Sequence, residues 1–190
     1  LATGSMAAPP RYPIGAEVRY VTAPEVLSGN AILDGPVLLD DPVGGPVAVA
    51  LAELLAARGL EVTIVTGDGV VGTQLGRTGD LARANGQLKQ AGVGCHPYSV
   101  IRSVGGDGAV LDDVHTGEQK VVPCAAIVDC GHRLPEDALS WRHPHTVRAG
   151  DCVAPRTVLE AIREGRAAAL ALDEQCNAVP LQLDREASPA

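Results

Sequence analysis

Two rhythms of hydrophobic positions alternate through the middle of the chain. Val37–Leu39 is a short continuous apolar run, the pattern of a strand buried on both faces. Val47, Ala50, Leu51, Leu54 and Leu55 then recur at i, i+3, i+4, i+7 and i+8, which predicts one face of a helix closing at Gly59. Next comes "LEVTIVTG" (60–67), rich in β-branched residues and read as a second strand. Strand, helix and strand within about thirty residues predict a βαβ unit with parallel strands and a right-handed crossover.

Residues 75–91 carry a helical pattern weakened by internal glycines. Three short strand signals follow at 98–104, 108–114 and 118–123, with turns at Gly105-Gly106-Asp107 and His115-Thr116-Gly117, which predicts an antiparallel meander. "AAIVDCG" (125–131) returns as a buried strand. A last helix is expected from about Val158 to Leu172, with Leu159, Ile162, Ala169 and Leu172 on one side and a loosely ordered tail after Asp173. Residues 6–34 are rich in Pro and Gly and read mainly as a connecting segment, apart from a short helix start capped by Thr22 with Pro24 in its first turn. The first residues and 146–172 look like a strand end and a strand–helix pair without a sheet. A lone strand and helix cannot bury both faces, so these flanks are expected to pack on other polypeptide.

Composition narrows the function classes. The hydrophobic fraction of 46% suits a folded globular chain, yet there is no Phe, one Trp and three Tyr. Base-stacking platforms are therefore not available. A net charge of −8 without a basic run argues against nucleic acid as a partner. No stretch approaches the ~20 apolar residues of a membrane span, and the start lacks a signal-peptide pattern. The five cysteines are dispersed, without a Cys-x-x-Cys pair, as expected of reduced thiols in a cytoplasmic protein. The chain opens on "LATGS" without an initiator methionine, as a piece of a longer polypeptide would.

The turn between the first strand and its helix reads "DDPVGG" (40–45). A dinucleotide fingerprint needs a tight glycine turn, a glycine admitting the diphosphate, and a third for close helix–strand contact. Here the first two positions fall on Asp40 and Pro42, and only Gly44-Gly45 retains glycine. Two carboxylates would repel a diphosphate, and Pro42 lacks an N–H donor. The acid expected at the end of the second strand is replaced by Thr66, with Asp68 two positions on. These features argue against NAD(P)H.

Among the histidines, His143-Pro144-His145 has metal-site spacing near Cys152, but no further ligand accompanies it and a solvated loop is expected. His96, His115 and His132 are expected at exposed turns, and Cys124 and Cys130 as small core residues around the 125–131 strand. No metal site and no catalytic Ser/His/Asp or Cys/His arrangement emerges.

Taken together, several stretches resemble the C-terminal part of the trimethylamine dehydrogenase and 2,4-dienoyl-CoA reductase family, the Old Yellow Enzyme-like oxidoreductases with FMN and an iron–sulfur centre. They are Ala2-Thr3-Gly4, "TAPEVLSG" (22–29), "GLEVTIVTG" (59–67), "VDCGHRLPEDAL" (128–139) and, above all, "AGDCVAPRTVLEAIREG" (149–165). The resemblance implies an α/β, Rossmann-like, glutathione-reductase-type three-layer nucleotide-binding domain with a β-meander. A strand and a strand–helix pair of a second nucleotide-binding domain would flank it. Residues 1–32 would end the FAD/ADP-binding domain and link onward, 33–140 form the NAD(P)-binding-like domain, 141–173 return to the first domain, and 174–190 form a tail.

The resemblance also implies a nucleotide site, FAD or ADP, shared with a missing domain. Asp151 would accept ribose or ribityl hydroxyls at the start of the last helix, where free amides and the dipole favour such contacts. Arg156 would lie near a phosphate or the neighbouring domain, Gly150 and Thr157 belong to the same stretch, and Ala2, Thr3 and Gly4 would bring close backbone. FMN and [4Fe–4S] are expected only in the missing N-terminal part. The remainder of the enzyme, attached upstream or as a separate subunit, is the expected partner, in an oligomer that docks an electron-transfer protein; this segment carries no catalytic residue. The competing readings are a non-catalytic scaffold that keeps the fold without a nucleotide, and a stand-alone NAD(P)H oxidoreductase domain, against which the Asp-Asp-Pro turn speaks.

Overall fold

The computed structural model describes residues 1–142 and 146–178, with side chains through 172. The strands are β1 (Ser5–Ala7), β2 (Arg19–Thr22), β3 (Val37–Asp40), β4 (Val62–Val65), β5 (Gly94–His96), β6 (Ser99–Gly105), β7 (Gly108–Asp113), β8 (Gln119–Val122), β9 (Ala126–Asp129) and β10 (Arg133–Pro135). The helices are α1 (Ala23–Leu27), α2 (Pro46–Ala57), α3 (Leu81–Gln90), α4 (Ala138–Arg142) and α5 (Val158–Ala178). They form two compact units, one of Ala7–His132 and one of Leu1–Met6 with Arg133–Ala190.

Unit Ala7–His132 is built on a five-stranded sheet in the order β2-β9-β3-β4-β5, every neighbouring pair parallel. A parallel sheet must be covered on both faces, and alternation along each strand shows how. Val37, Leu39, Ile64 and Val128 point to one face, where they pack with Leu51 and Leu55 of α2 and Leu88 of α3. Leu38, Val65 and Ile127 point to the other, against Ile101, Val104, Ala109 and Leu111 of the β6-β7-β8 meander. Leu38, Leu39, Ile64 and Ile127 are fully buried, and burial of each stabilises the fold by roughly 1.5–3 kcal/mol.

The parallel βαβ unit, the meander and the buried return strand β9 lie where the hydrophobic pattern predicted them. Four features differ. The buried residues of α2 are Ala48, Val49, Leu51, Ala52 and Leu55, while Val47 and Ala50 are exposed. "PVAVALAELLAA" is apolar nearly all round, so its periodicity fits more than one face and packing against the sheet chooses. The helix expected over 75–91 splits into a 3₁₀ turn, Thr73–Arg77, and α3, because Gly79 takes φ 84° between them. Residues 19–22, read as connecting segment, form edge strand β2 beside β9. Finally, α5 runs on to Ala178, past the predicted end at Leu172.

The unit of Leu1–Met6 and Arg133–Ala190 holds the pair β1–β10, α4, a 3₁₀ turn at Gly150–Cys152, and α5. Its longest element, α5, leaves Val158 (76%) and Ile162 (65%) exposed, together with Leu159, Leu170 and Leu172. Among the described residues nothing covers this apolar face. Among the described residues no helix is long and apolar enough to cross a membrane.

Candidate functional site

In the smaller unit the chain's first residues and the Gly150–Cys152 turn are brought together across 146 positions of sequence, where the Ser5 hydroxyl donates to Asp151 Oδ2 at 3.1 Å. Cys152 is fully buried, its thiol donating to the carbonyls of Leu1 at 3.3 Å and Ala149 at 3.2 Å. The Ala149 amide donates to Leu1 O at 3.0 Å. Arg133 holds the other side, its Nε donating to Ser5 Oγ at 2.8 Å and its Nη2 to Ser5 O.

Gly150, at φ 77°, occupies the left-handed region that the turn requires, and its amide donates to Glu164 Oε2 at 2.8 Å. The same carboxylate takes Arg156 through Oε1, so one α5 residue ties the turn to the helix start. Thr157 donates to Glu160 within the first turn of α5. Thr3 donates to Glu136 O, the Glu136 amide donates to Gly4 O at 3.0 Å, and Ala2 is exposed. Gly4 takes φ 83° with open space where a Cβ would stand.

Of the seven residues that the resemblance marks out, Ala2, Thr3, Gly4, Gly150 and Asp151 therefore meet around one short strand and one turn. Arg156 and Thr157 engage glutamates of α5. Ser5, Arg133 and Glu164 complete the cluster and were not singled out in the sequence. Glu164 lies inside the 149–165 stretch and Arg133 inside the 128–139 stretch, so both were legible as parts of them; Ser5 is an ordinary polar residue in sequence. Asp151 Oδ1 accepts no hydrogen bond among the described residues. That carboxylate oxygen is therefore able to accept a further hydrogen bond.

The larger unit has its own concavity at the carboxyl ends of β3 and β4, the place where parallel sheets present ligands. A cavity of about 280 Å³ is lined by Arg11, Tyr12, Asp40, Thr66, Ser99 and Ile101, among others. Burial pushes Asp40 up to about 6, against the Tyr12 hydroxyl, which donates to its Oδ2 at 2.9 Å. Neighbouring Asp129 raises it further, while Arg11 and His132 oppose the rise. Tyr12 and Tyr20 are both held well above the ordinary tyrosine value, chiefly by burial and then by Asp40 and Asp129 respectively.

Asp41 is also pushed up to about 6 by burial, while the amides of Gly45, Gly44 and Val43 favour its charged form. Burial, with Asp41, Asp129 and Asp40 nearby, places the Cys130 thiol well above its usual range, which disfavours the thiolate. Asp68, three residues past β4, accepts from Thr73 Oγ1 at 2.5 Å. Its carboxylate leaves no room for a Cβ on Gly44, which takes φ 65°.

Three further expectations can be placed. His96 lies on β5, half-buried, with Lys120 Nζ donating to its Nδ1 at 2.7 Å, and is not a turn residue. Burial first, then Lys120, lowers its pKa. His115 and His132 are exposed as expected. His143, Pro144 and His145, and residues 179–190 of the tail, lie outside the described residues. Among the described residues no group of three His, Cys, Asp or Glu could hold a metal ion, and Cys95, Cys124, Cys130 and Cys152 are unpaired thiols.

No family model matches the chain, and no curated protein matches it. Solved structures do. Histamine dehydrogenase from Rhizobium sp. 4-9 superposes with a TM-score of 0.82 at 22% identity, covering 90% of this chain and 30% of that one. A 2-naphthoyl-CoA reductase matches with a TM-score of 0.74 at 20% identity, over 86% of this chain and 25% of the other. Thioredoxin reductase from T. acidophilum matches with a TM-score of 0.67 at 14% identity, over 93% and 65%.

At these identities the likeness is one of fold. The chain has the mixed α/β architecture, with a parallel sheet, that these dehydrogenase and reductase structures contain, and it spans under a third of the length of the first two.

Proposed function

We propose that this chain is the C-terminal nucleotide-binding portion of a flavin- and iron–sulfur-dependent oxidoreductase, of the amine dehydrogenase or enoyl reductase kind. In this reading Ala7–His132 is the glutathione-reductase-type, NAD(P)-binding-like domain. The smaller unit supplies one side of a second nucleotide domain, holding FAD or ADP together with polypeptide beyond this chain. Asp151 would accept a ribose or ribityl hydroxyl, Ala2, Thr3, Gly4 and Gly150 would give close backbone approach, and Arg156 and Thr157 would stand at the helix start. FMN and the [4Fe–4S] centre would belong to the remainder of the enzyme, which supplies the reacting groups.

The observation that carries this reading is the meeting of Ser5 with Asp151, which gathers both ends of the resemblance at one place. The uncovered apolar face of α5 supports it, since a missing half-domain would bury Val158 and Ile162. The complete enzyme would be a cytoplasmic oligomer that hands electrons to a further electron-transfer protein. The Asp-Asp-Pro turn favours the dehydrogenase branch, in which this domain takes no NAD(P)H.

Acid release of small molecules from the complete native polypeptide tests the reading. The expected result is about one FAD or ADP per chain, lost in Asp151→Ala. Finding neither nucleotide would instead favour a scaffold that keeps the fold without a ligand. Rapid flavin reduction by NADPH would overturn the preference for the dehydrogenase branch.

A further inference from the structure

The turn that joins β3 to α2 holds an anion of its own. Asp41 is 1% exposed, and its carboxylate folds back over the glycine segment that follows it. Gly44 N donates to Oδ1 at 3.0 Å. The amides of Val43 and Gly45 lie close enough to favour the charged carboxylate as well. Oδ2 has no hydrogen-bond partner, although it is buried. Gly45 is the N-cap of α2, so these amides belong to the free, positive end of a twelve-residue helix. Such amides are what a nucleotide phosphate would use.

We infer that Asp41 is the specificity-determining residue of this turn: its side chain occupies the anion position, and the turn excludes a diphosphate by being already filled. The approach is open over Gly45, where a Cβ would meet nothing within 4 Å, while the Asp68 carboxylate stands over Gly44. Bulk at Gly45 therefore excludes nothing. Repulsion by Asp40 or Asp68 would act in the same direction as occupancy, so charge and occupancy must be separated. The inference deepens the proposal that this domain takes no NAD(P)H, and it rests on that part of the reading.

The test uses the full chain, inorganic pyrophosphate as probe, and the backbone amide NMR signals of Gly44 and Gly45. Asp40→Asn removes the neighbouring charge, and it should leave pyrophosphate binding as weak as in the wild type. Adding Asp41→Ala to it should empty the position and tighten binding by about tenfold or more, the scale of one charge-assisted hydrogen bond gained. Adding Asp41→Asn instead removes the charge and keeps the shape and the acceptor, so binding should stay weak.

If the Asn and Ala pairs bind equally well, charge alone excludes the anion and occupancy is overturned. A folded Ala pair that binds nothing also overturns the inference, while the wider functional reading stands. Pyrophosphate on the wild-type turn would sink the inference and the NAD(P)H-free reading together. Should the Ala pair fail to fold, the wild type decides. The Gly44 amide shift must follow the Asp41 carboxyl with the same midpoint, and a Gly44 amide blind to that titration overturns the seating of Asp41.

Discussion

Tyr12 donates its hydroxyl to Asp40 across 28 residues of sequence, at 2.9 Å, so that among the described residues the hydrogen-bond partner of Asp40 Oδ2 is a tyrosine from outside the parallel sheet. This hydrogen bond opposes the effect of burial on Asp40. Tyr12→Phe should therefore lift the Asp40 pKa from about 6 by about one further unit. Carboxyl ¹³C titration measures it directly. An unchanged midpoint would mean that solvent replaces the lost donor.

The same carboxylates set a pH dependence of stability. Asp40 and Asp41 titrate near 6 in the folded chain, above the ordinary aspartate value of 3.8. The folded state thus binds more protons than the unfolded one between those values, and their stabilising contribution is complete below about pH 4 and lost as pH rises through 6. Denaturation midpoints should improve from pH 7 to pH 5. Asp40→Asn should flatten that slope and gain on the order of 2 kcal/mol at pH 7. A variant with the wild-type slope would refute the assignment.

The meander makes a sharper demand on one glycine than on another. Gly108 takes φ 118°, and a Cβ there would collide with the Val122 carbonyl on β8, whereas Gly117 takes φ 71° in open space. Gly108→Ala should cost on the order of 3 kcal/mol, against roughly 1 kcal/mol for Gly117→Ala. Chemical denaturation of the two variants side by side checks the ordering.

On α5, Ile162→Asp alters a side chain already in solvent in this chain. The melting of the isolated chain should move by less than about 0.5 kcal/mol. In the complete polypeptide the same change should release bound nucleotide and disturb assembly, read by size-exclusion chromatography and acid release. Equal indifference in both settings would show that nothing packs on this face.

Much of this architecture was legible along the chain. Val37–Leu39 is a continuous apolar run, "VTIV" is β-branched throughout, "AIVD" is apolar up to Asp129, and the meander is punctuated by Gly-Gly-Asp and His-Thr-Gly. Strands β2, β5 and β10 are three or four residues long and carry too few side chains to show a period. The face of α2 was ambiguous because apolar residues surround it. Glu164 serves Gly150 and Arg156 from two turns into α5, a role that only the fold can reveal. Asp41 was read as a charge that repels a ligand; the structure adds that its own backbone receives it.

The order β2-β9-β3 has a consequence for how the chain comes into being. Strand β2 leaves the ribosome well before its neighbour in the sheet, which ends at Asp129. Until that segment emerges, β2 has an unpaired edge and Leu38 lacks the Ile127 that shares its cluster. The sheet is therefore closed from the middle by the last of its strands to be synthesised, and any product cut short before residue 126 is a pair of unjoined halves with sticky flanks rather than a smaller domain.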